Sequence, residues 1–290
     1  MDYETLLRKI NDYSKTFEIK CLGYSHFGRK ILAVERNLKD NFATAIFVAG
    51  VHAREYITTD LLCKFLDEKL FDEIEDFNVA FILMANPDGV ELVKNGISSV
   101  PEKFREKVLE INDRRDDFLL WKANGLGEDI NNNFDANFGS NVHAFKPSPS
   151  GYIGTFPESV VETRLIADYA RAKKPFFTVS YHSKGEEIYF DFFQDLNRLK
   201  RDKIIAERFA QSTGYAIKNV EKYSSGGYKD WCVQVLKIPA LTIEVGSDDL
   251  KHPIHEENLD EIYSLHKSVA KDLKFAYNVC VEYGETKDEL

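Results

Sequence analysis

The chain reads as one α/β domain over residues 1–290, with a mixed, mainly parallel central sheet and helices on both faces. Three observations predict this. Apolar runs of strand length at residues 43–49, 79–84, 176–181 and 241–245 lack alternation, as strands buried on both faces do. Stretches of helical periodicity fill the intervals between them. No repeat, low-complexity linker or break in composition divides the chain, and 43% hydrophobic content with 13% aromatics is ample for a substantial core.

Element by element, residues 2–17 carry Leu6, Leu7, Ile10 and Tyr13 at helical spacing, with Asp2 placed as a cap. Residues 18–24 and 30–35 read as strands around the Gly28-Arg29 turn, 43–49 as a buried strand, and the run from Ile57 to about Phe71 as a helix. The strand over 79–84 stops at Asn86-Pro87-Asp88-Gly89, which has turn chemistry. From Glu91 to Tyr152 only residues 101–110 look helical, and Asn, Gly, Asp and Pro accumulate up to Asp129-Ile130-Asn131-Asn132-Asn133. A long irregular stretch inside a compact domain is more often a binding surface than a linker. Helices are expected over 158–172 and 197–213, a short one over 229–236, and a closing one over 256–279.

The formal net charge of -10 argues against a non-specific grip on nucleic acid or anionic lipid, since both need a basic face. No window approaches the ~20 apolar residues of a membrane span. Met1-Asp2-Tyr3-Glu4 opens no basic-then-apolar leader, so cytoplasmic residence is expected. Cys21, Cys63, Cys232 and Cys280 are scattered without a Cys-x-x-Cys pair and are expected as buried, reduced thiols. Lys287-Asp288-Glu289-Leu290 spells an endoplasmic-reticulum retrieval signal, but such a signal acts only on a protein that has entered the secretory pathway, so coincidence is expected.

The chemistry concentrates at strand ends. His52-Ala53-Arg54-Glu55 follows the strand over 43–49, and an imidazole and a carboxylate three residues apart there can bind one face of a zinc ion. An ordinary helix-entry Glu beside a hydrogen-bonded His is the bland alternative for this pair. A third ligand must come from elsewhere, and His182, ending the apolar run 175–181, is the best placed. Glu244 ends another apolar run, where a carboxylate needs a reason. Two nitrogens, one oxygen and a spare base make the inventory of a zinc hydrolase.

Further along the chain come Asn86-Pro87-Asp88-Gly89, Trp121-Lys122-Ala123-Asn124, Asp129-Ile130-Asn131, Ser180-Tyr181-His182-Ser183, Ser224-Ser225-Gly226-Gly227-Tyr228-Lys229-Asp230-Trp231 and Thr242-Ile243-Glu244. In this order they resemble the zinc carboxypeptidase family with its carboxypeptidase A-like fold. The Trp-Lys-Ala-Asn run, Gly185-Glu186 and the Gly-Gly-Tyr-Lys-Asp-Trp run look most like the bacterial γ-D-glutamyl-diaminopimelate peptidases. The resemblance implies that His52, Glu55 and His182 hold one zinc ion and that Glu244 is the general base and acid. It also places Lys122, seven residues before Asp129, where the family carries an Arg beside the oxyanion; a point charge there keeps electrostatic help without the planar fork.

Arg54, between the two zinc ligands, faces either substrate or an ion pair within the structure, and among further substrate contacts the resemblance implies Asn131, Asn132, Lys229 and, with a register uncertain by one residue, Tyr223. Asn132 departs from the family's pattern, which has an Arg that grips a terminal carboxylate. A neutral amide weakens selection for a free C-terminus. Lys229 stands where the family lines the pocket for the residue after the cut, and a cation there favours an acidic group. His252 and His255 flank Pro253 in a polar loop and read as surface residues, His143 touches substrate at most, and Glu186 reads as structural. The expected partner is a peptide derived from the cell wall. The rivals are a carboxypeptidase releasing a C-terminal acidic residue, a deacylase for N-acyl amino acids, and a silent wall-peptide-binding module.

Overall fold

The computed structural model describes residues 1–140, 142–219 and 226–284. Helix α1 (Tyr3–Tyr13) starts at Asp2, whose side chain accepts from the Thr5 amide at 2.8 Å, as the cap predicted. Strands β1 (Glu18–Tyr24) and β2 (Lys30–Arg36) form a hairpin closed at Gly28, which holds φ +84°. Then come β3 (Thr44–Val48), a 3-10 turn at Ala53–Glu55, α2 (Ile57–Asp67) and β4 (Asn78–Ile82).

Asn86-Pro87-Asp88-Gly89 is not a free turn: it opens helix α3 (Pro87–Asn95). Asn86 caps it by accepting from the Gly89 amide at 3.0 Å, and Pro87 sits in the first turn, where a missing N–H costs nothing. The residue types that make turns also start helices, and this one begins the segment expected to be irregular. Helix α4 (Glu102–Ile111) follows, then α5 (Val161–Lys173), β5 (Phe177–His182), β6 (Glu187–Tyr189), α6 (Leu196–Thr213), β7 (Ala216–Lys218), α7 (Tyr228–Trp231), which runs on as a π turn, and β8 (Ala240–Glu244).

The closing helix is split into α8 (Leu259–Leu265) and α9 (Val269–Glu282). His266 is the cause: its ring Nδ1 bonds the Ile262 carbonyl at 2.8 Å, taking the acceptor that its own amide would use in a continuous helix. That amide turns to the Tyr263 carbonyl instead.

Among the described residues the strands form one sheet in the order β1-β2-β4-β3-β5-β8-β6-β7. The centre, β4-β3-β5-β8, is parallel, while β1 and β2 on one side and the β6/β8 pair on the other are antiparallel. Alternation along β5 and β8 sends Val179, Tyr181, Leu241 and Ile243 into a core shared with α2, α6, α8 and α9. The opposite face carries Ile46, Val48 and Ala240 against Ile166 of α5 and Tyr228 of α7. Helices on both faces were the expectation. Cys63, Cys232 and Cys280 are buried and free, but Cys21, on the edge strand β1, is exposed. No helix among the described residues is long and apolar enough to cross a membrane.

Candidate metal and catalytic site

All four parallel strands end on the same side, the usual place for a ligand in such sheets. β3 delivers His52 and the turn that carries Glu55, and β5 ends in His182. His52 Nδ1 lies 2.9 Å from Glu55 Oε1, His182 Nδ1 lies 3.0 Å from Glu55 Oε2, and the two Nδ1 atoms are 3.1 Å apart. The three side chains are buried and their donor atoms fall within 4.8 Å of one another.

Those separations fit a shared cation. Bonds of about 2.0–2.1 Å from tetrahedral zinc to nitrogen or oxygen place neighbouring donors roughly 3.3 Å apart. Two imidazole nitrogens and a carboxylate suit zinc better than a harder ion, and the set leaves a fourth position open. Glu55 is ready as a ligand: burial opposes its charge, but His52 and His182 outweigh that and hold its carboxyl well below the usual range.

Behind His52 stands Asp129, which the sequence offered only as the start of a motif. It is fully buried, and its Oδ1 comes within 3.3 Å of His52 Nε2. Its Oδ2 is 3.8 Å from the ammonium of Lys122. Burial works against this charge too, yet Lys122 and His52 keep the carboxyl well below its ordinary pKa. Lysine, carboxylate and imidazole thus form a chain leading to the metal position, with the carboxylate orienting the ligand ring. Lys122 is not a plain surface lysine: about a quarter of its side chain is exposed.

The loop that carries Lys122 and Asp129 is stitched to the ligand turn. The Ala53 amide donates to the Lys122 carbonyl at 3.0 Å, and Asn86 Nδ2 reaches both Val51 and Ala123 carbonyls. Asn124 is the hub: its Oδ1 accepts from the Leu126 and Glu128 amides, and its Nδ2 donates to Glu128 and to Glu162 at 3.0 Å each. Glu162 is wholly buried, and burial pushes its carboxyl up to about 7, against the lowering by His26 and Asn124.

A carboxyl whose folded pKa exceeds its unfolded value of 4.5 favours folding fully below that value, and the contribution is lost as pH rises through about 7. Glu162→Gln keeps an acceptor for Asn124 without a titrating charge. Urea unfolding at pH 5 and pH 8.5 is therefore expected to show wild-type stability falling by up to about 3 kcal/mol more than that of the variant between the two conditions. Parallel pH profiles would refute the assignment.

Glu244 lies opposite His182 across the β5/β8 ladder, so the two side chains share the site's face. Burial pushes its carboxyl up to about 7; Glu55 and Glu187 add to the rise, and His182 and Lys122 oppose it. His182 and Glu187 flank it on the neighbouring strands. Arg54, between the ligands, reaches the Leu120 carbonyl at 3.4 Å. Asn131 Oδ1 accepts from the Tyr228 amide at 3.1 Å, which docks the Gly226-Gly227 turn on the Asn131-Asn132 loop. A Cβ at Gly226, which has φ +76°, would stand 2.4 Å from the Asn132 carbonyl oxygen, so only glycine allows that approach.

Lys229 sits differently from expectation. It is buried, its ammonium donates to the Asp191 carbonyl at 2.7 Å, and it pairs with Asp230, so its charge is already compensated. Tyr223 lies outside the described residues. His255 is exposed and paired with Glu257, as a surface residue should be, whereas His252 is half-buried near Arg54 and Glu55 but outside the ligand cluster. His143 is exposed, and Glu186 contributes its backbone carbonyl to Ala216.

The architecture matches bovine thrombin-activatable fibrinolysis inhibitor with a TM-score of 0.75 at 18% identity, covering 95% of each chain. The murein-tripeptide amidase MpaA from Escherichia coli O157 matches with a TM-score of 0.56, 18% identity and coverage of 88% and 90%. By sequence, the gamma-D-glutamyl-L-diamino acid endopeptidase 1 of Lysinibacillus sphaericus is 30% identical over 234 residues, 75% of this chain. The chain spans 57% of that relative's length. Residues 3–267 match the model of the zinc carboxypeptidase peptidases, and with the ligand geometry in agreement, the chain belongs to the zinc carboxypeptidase family.

Proposed function

We propose that residues 1–290 form one zinc peptidase domain, which hydrolyses the γ-D-glutamyl bond to diaminopimelate in peptidoglycan-derived peptides. The observation that carries the peptidase reading is the convergence of His52, Glu55 and His182 on one point, with Glu244 opposite His182 on the same face. Zinc in that position supplies Lewis acidity towards water and the scissile carbonyl. Glu244 takes the proton of the attacking water and returns it to the leaving amine. Lys122 stands beside the charge that develops on the carbonyl oxygen, while Asp129 holds His52 in the tautomer and orientation a ligand needs.

The finer substrate assignment is supported by the printed activity of the Lysinibacillus relative and by the neutral Asn132. An amide gives no charged fork for a terminal carboxylate, so a bond followed by further residues stays accessible. The compensated charge of Lys229 gives no support to a carboxypeptidase selecting a C-terminal acidic residue through that side chain. Arg54 and Asn131 line the approach as substrate contacts. We place the reaction in the cytoplasm on imported or precursor peptides; the four free cysteines support a reducing compartment.

Incubating the zinc-loaded protein with L-Ala-γ-D-Glu-diaminopimelate and with α-linked peptides, free or amidated at the C-terminus, tests the reading. Mass spectrometry is expected to find diaminopimelate released from the γ-linked peptide and no dependence on a free C-terminus. Cleavage confined to α-linked peptides with a free terminus would replace this function with a carboxypeptidase.

A further inference from the structure

Glu187, Tyr189 and Lys218 take no part in the chemistry above, yet the sheet register sets them beside it. β6 pairs with β8 so that Glu187 faces Glu244 and Tyr189 faces Thr242, and β7 puts Lys218 opposite Tyr189. Opposed side chains share a face. Ile188 and Ile243 point to the other, apolar side. Two polar rows therefore cross the site's face. The first runs His182, Glu244, Glu187; the second, further back along β5 and β8, runs Ser180, Thr242, Tyr189, Lys218.

The side chains of these rows are joined. Glu187 Oε2 accepts from the Tyr189 hydroxyl at 2.6 Å, and Oε1 pairs with the Lys218 ammonium at 3.1 Å. Ser180 and Thr242 hydroxyls lie 3.2 Å apart. The Lys218 side chain is 48% exposed and that of Glu187 20%, so a ligand can reach the pair.

Stability gives little reason for this arrangement. Like charges placed directly across a ladder destabilise it, and an ion pair this open contributes little. A ligand supplies the reason. Glu187 lies one strand spacing from Glu244 and Lys218 one further, so the pair spans roughly 5 to 10 Å from the catalytic carboxylate's strand. That is the reach of a long side chain on the residue leaving the metal. The ammonium of Lys229 is buried against Asp230 and the Asp191 carbonyl, whereas Lys218, though paired with Glu187, is half-exposed and is the cation in this row that a distal carboxylate can reach.

We propose that Glu187, Tyr189 and Lys218 form the specificity subsite for the leaving residue, and that it takes a side chain ending in both an ammonium and a carboxylate. Glu187 meets the ammonium and Lys218 the carboxylate, each exchanging its present partner for one of the same sign. This inference rests on the peptidase reading of the same site and names what that site selects.

Calorimetric titration of the zinc-loaded full chain with free meso-diaminopimelate, lysine and 2-aminopimelate tests it, since the last two lack the distal carboxylate and the distal ammonium in turn. Diaminopimelate is expected to bind about ten-fold more tightly than either. Lys218→Met should erase the preference over lysine, Glu187→Gln the preference over 2-aminopimelate, and Lys218→Arg should restore most of the first. Equal affinities for the three ligands, no binding, or equal losses in every variant would overturn the proposal. Selectivity without cleavage of the γ-linked peptide would defeat the peptidase assignment alone, and cleavage without selectivity would defeat this inference alone.

Discussion

Glu244→Gln is expected to lower kcat by about a thousand-fold while leaving the zinc content at one ion per chain. Glutamine has nearly the same volume and keeps one carbonyl oxygen in place, so β8 and its ladder with β5 should be undisturbed. What it loses is the ability to take a proton from water and pass it to the amine. General acid–base groups typically contribute 10²–10⁴-fold, and one residue here serves both halves of the reaction. Because Glu244 is not among the three converging ligands, metal analysis should separate this variant from one that has lost its site. KM is expected to change little, since the interaction removed acts in the transition state. A kcat within ten-fold of wild type, with zinc retained, would assign the base to another group.

Much of this site was legible because buried parallel strands announce themselves as short apolar runs, and a charged residue closing such a run is conspicuous. His52, Glu55, His182 and Glu244 were all visible in that way, and so was the alternation of strands and helices. The misses have a common physical origin. β6 and β7 are three residues each and include a single buried residue between them, Ile188, so no apolar run marks them. Glu187 could have been found through the alternation Glu187-Ile188-Tyr189, but only once the antiparallel register with β8 is known. Asp129 sits in a loop whose composition says only that it is irregular, while its role depends on a contact across the gap to His52. Asn86-Pro87-Asp88-Gly89 opens a helix rather than a turn, and His266 splits the closing helix, because side chains compete with the backbone, Asn86 Oδ1 for the Gly89 amide and the His266 ring for the Ile262 carbonyl, and sequence does not say which partner wins.

His182→Ala should abolish activity by emptying the metal position rather than by damaging the fold. Zinc affinities of fully built protein sites amount to about 10–16 kcal/mol, so one ligand of a small set is expected to account for several hundred-fold or more in Kd. Asp129→Asn should fall between, weakening zinc about 10- to 100-fold, since it leaves every ligand in place and disturbs only the orientation of His52. Stability follows from the same linkage. A metal present at a hundred times its Kd contributes about 2.7 kcal/mol, so a strong chelator should lower the melting temperature of the wild type by several degrees. The same chelator should leave the His182→Ala melting curve where it was, because that protein holds no zinc to surrender. A wild-type curve that ignores chelation, or a His182→Ala protein that still titrates one zinc tightly, would mean that these three side chains meet for a reason other than a metal.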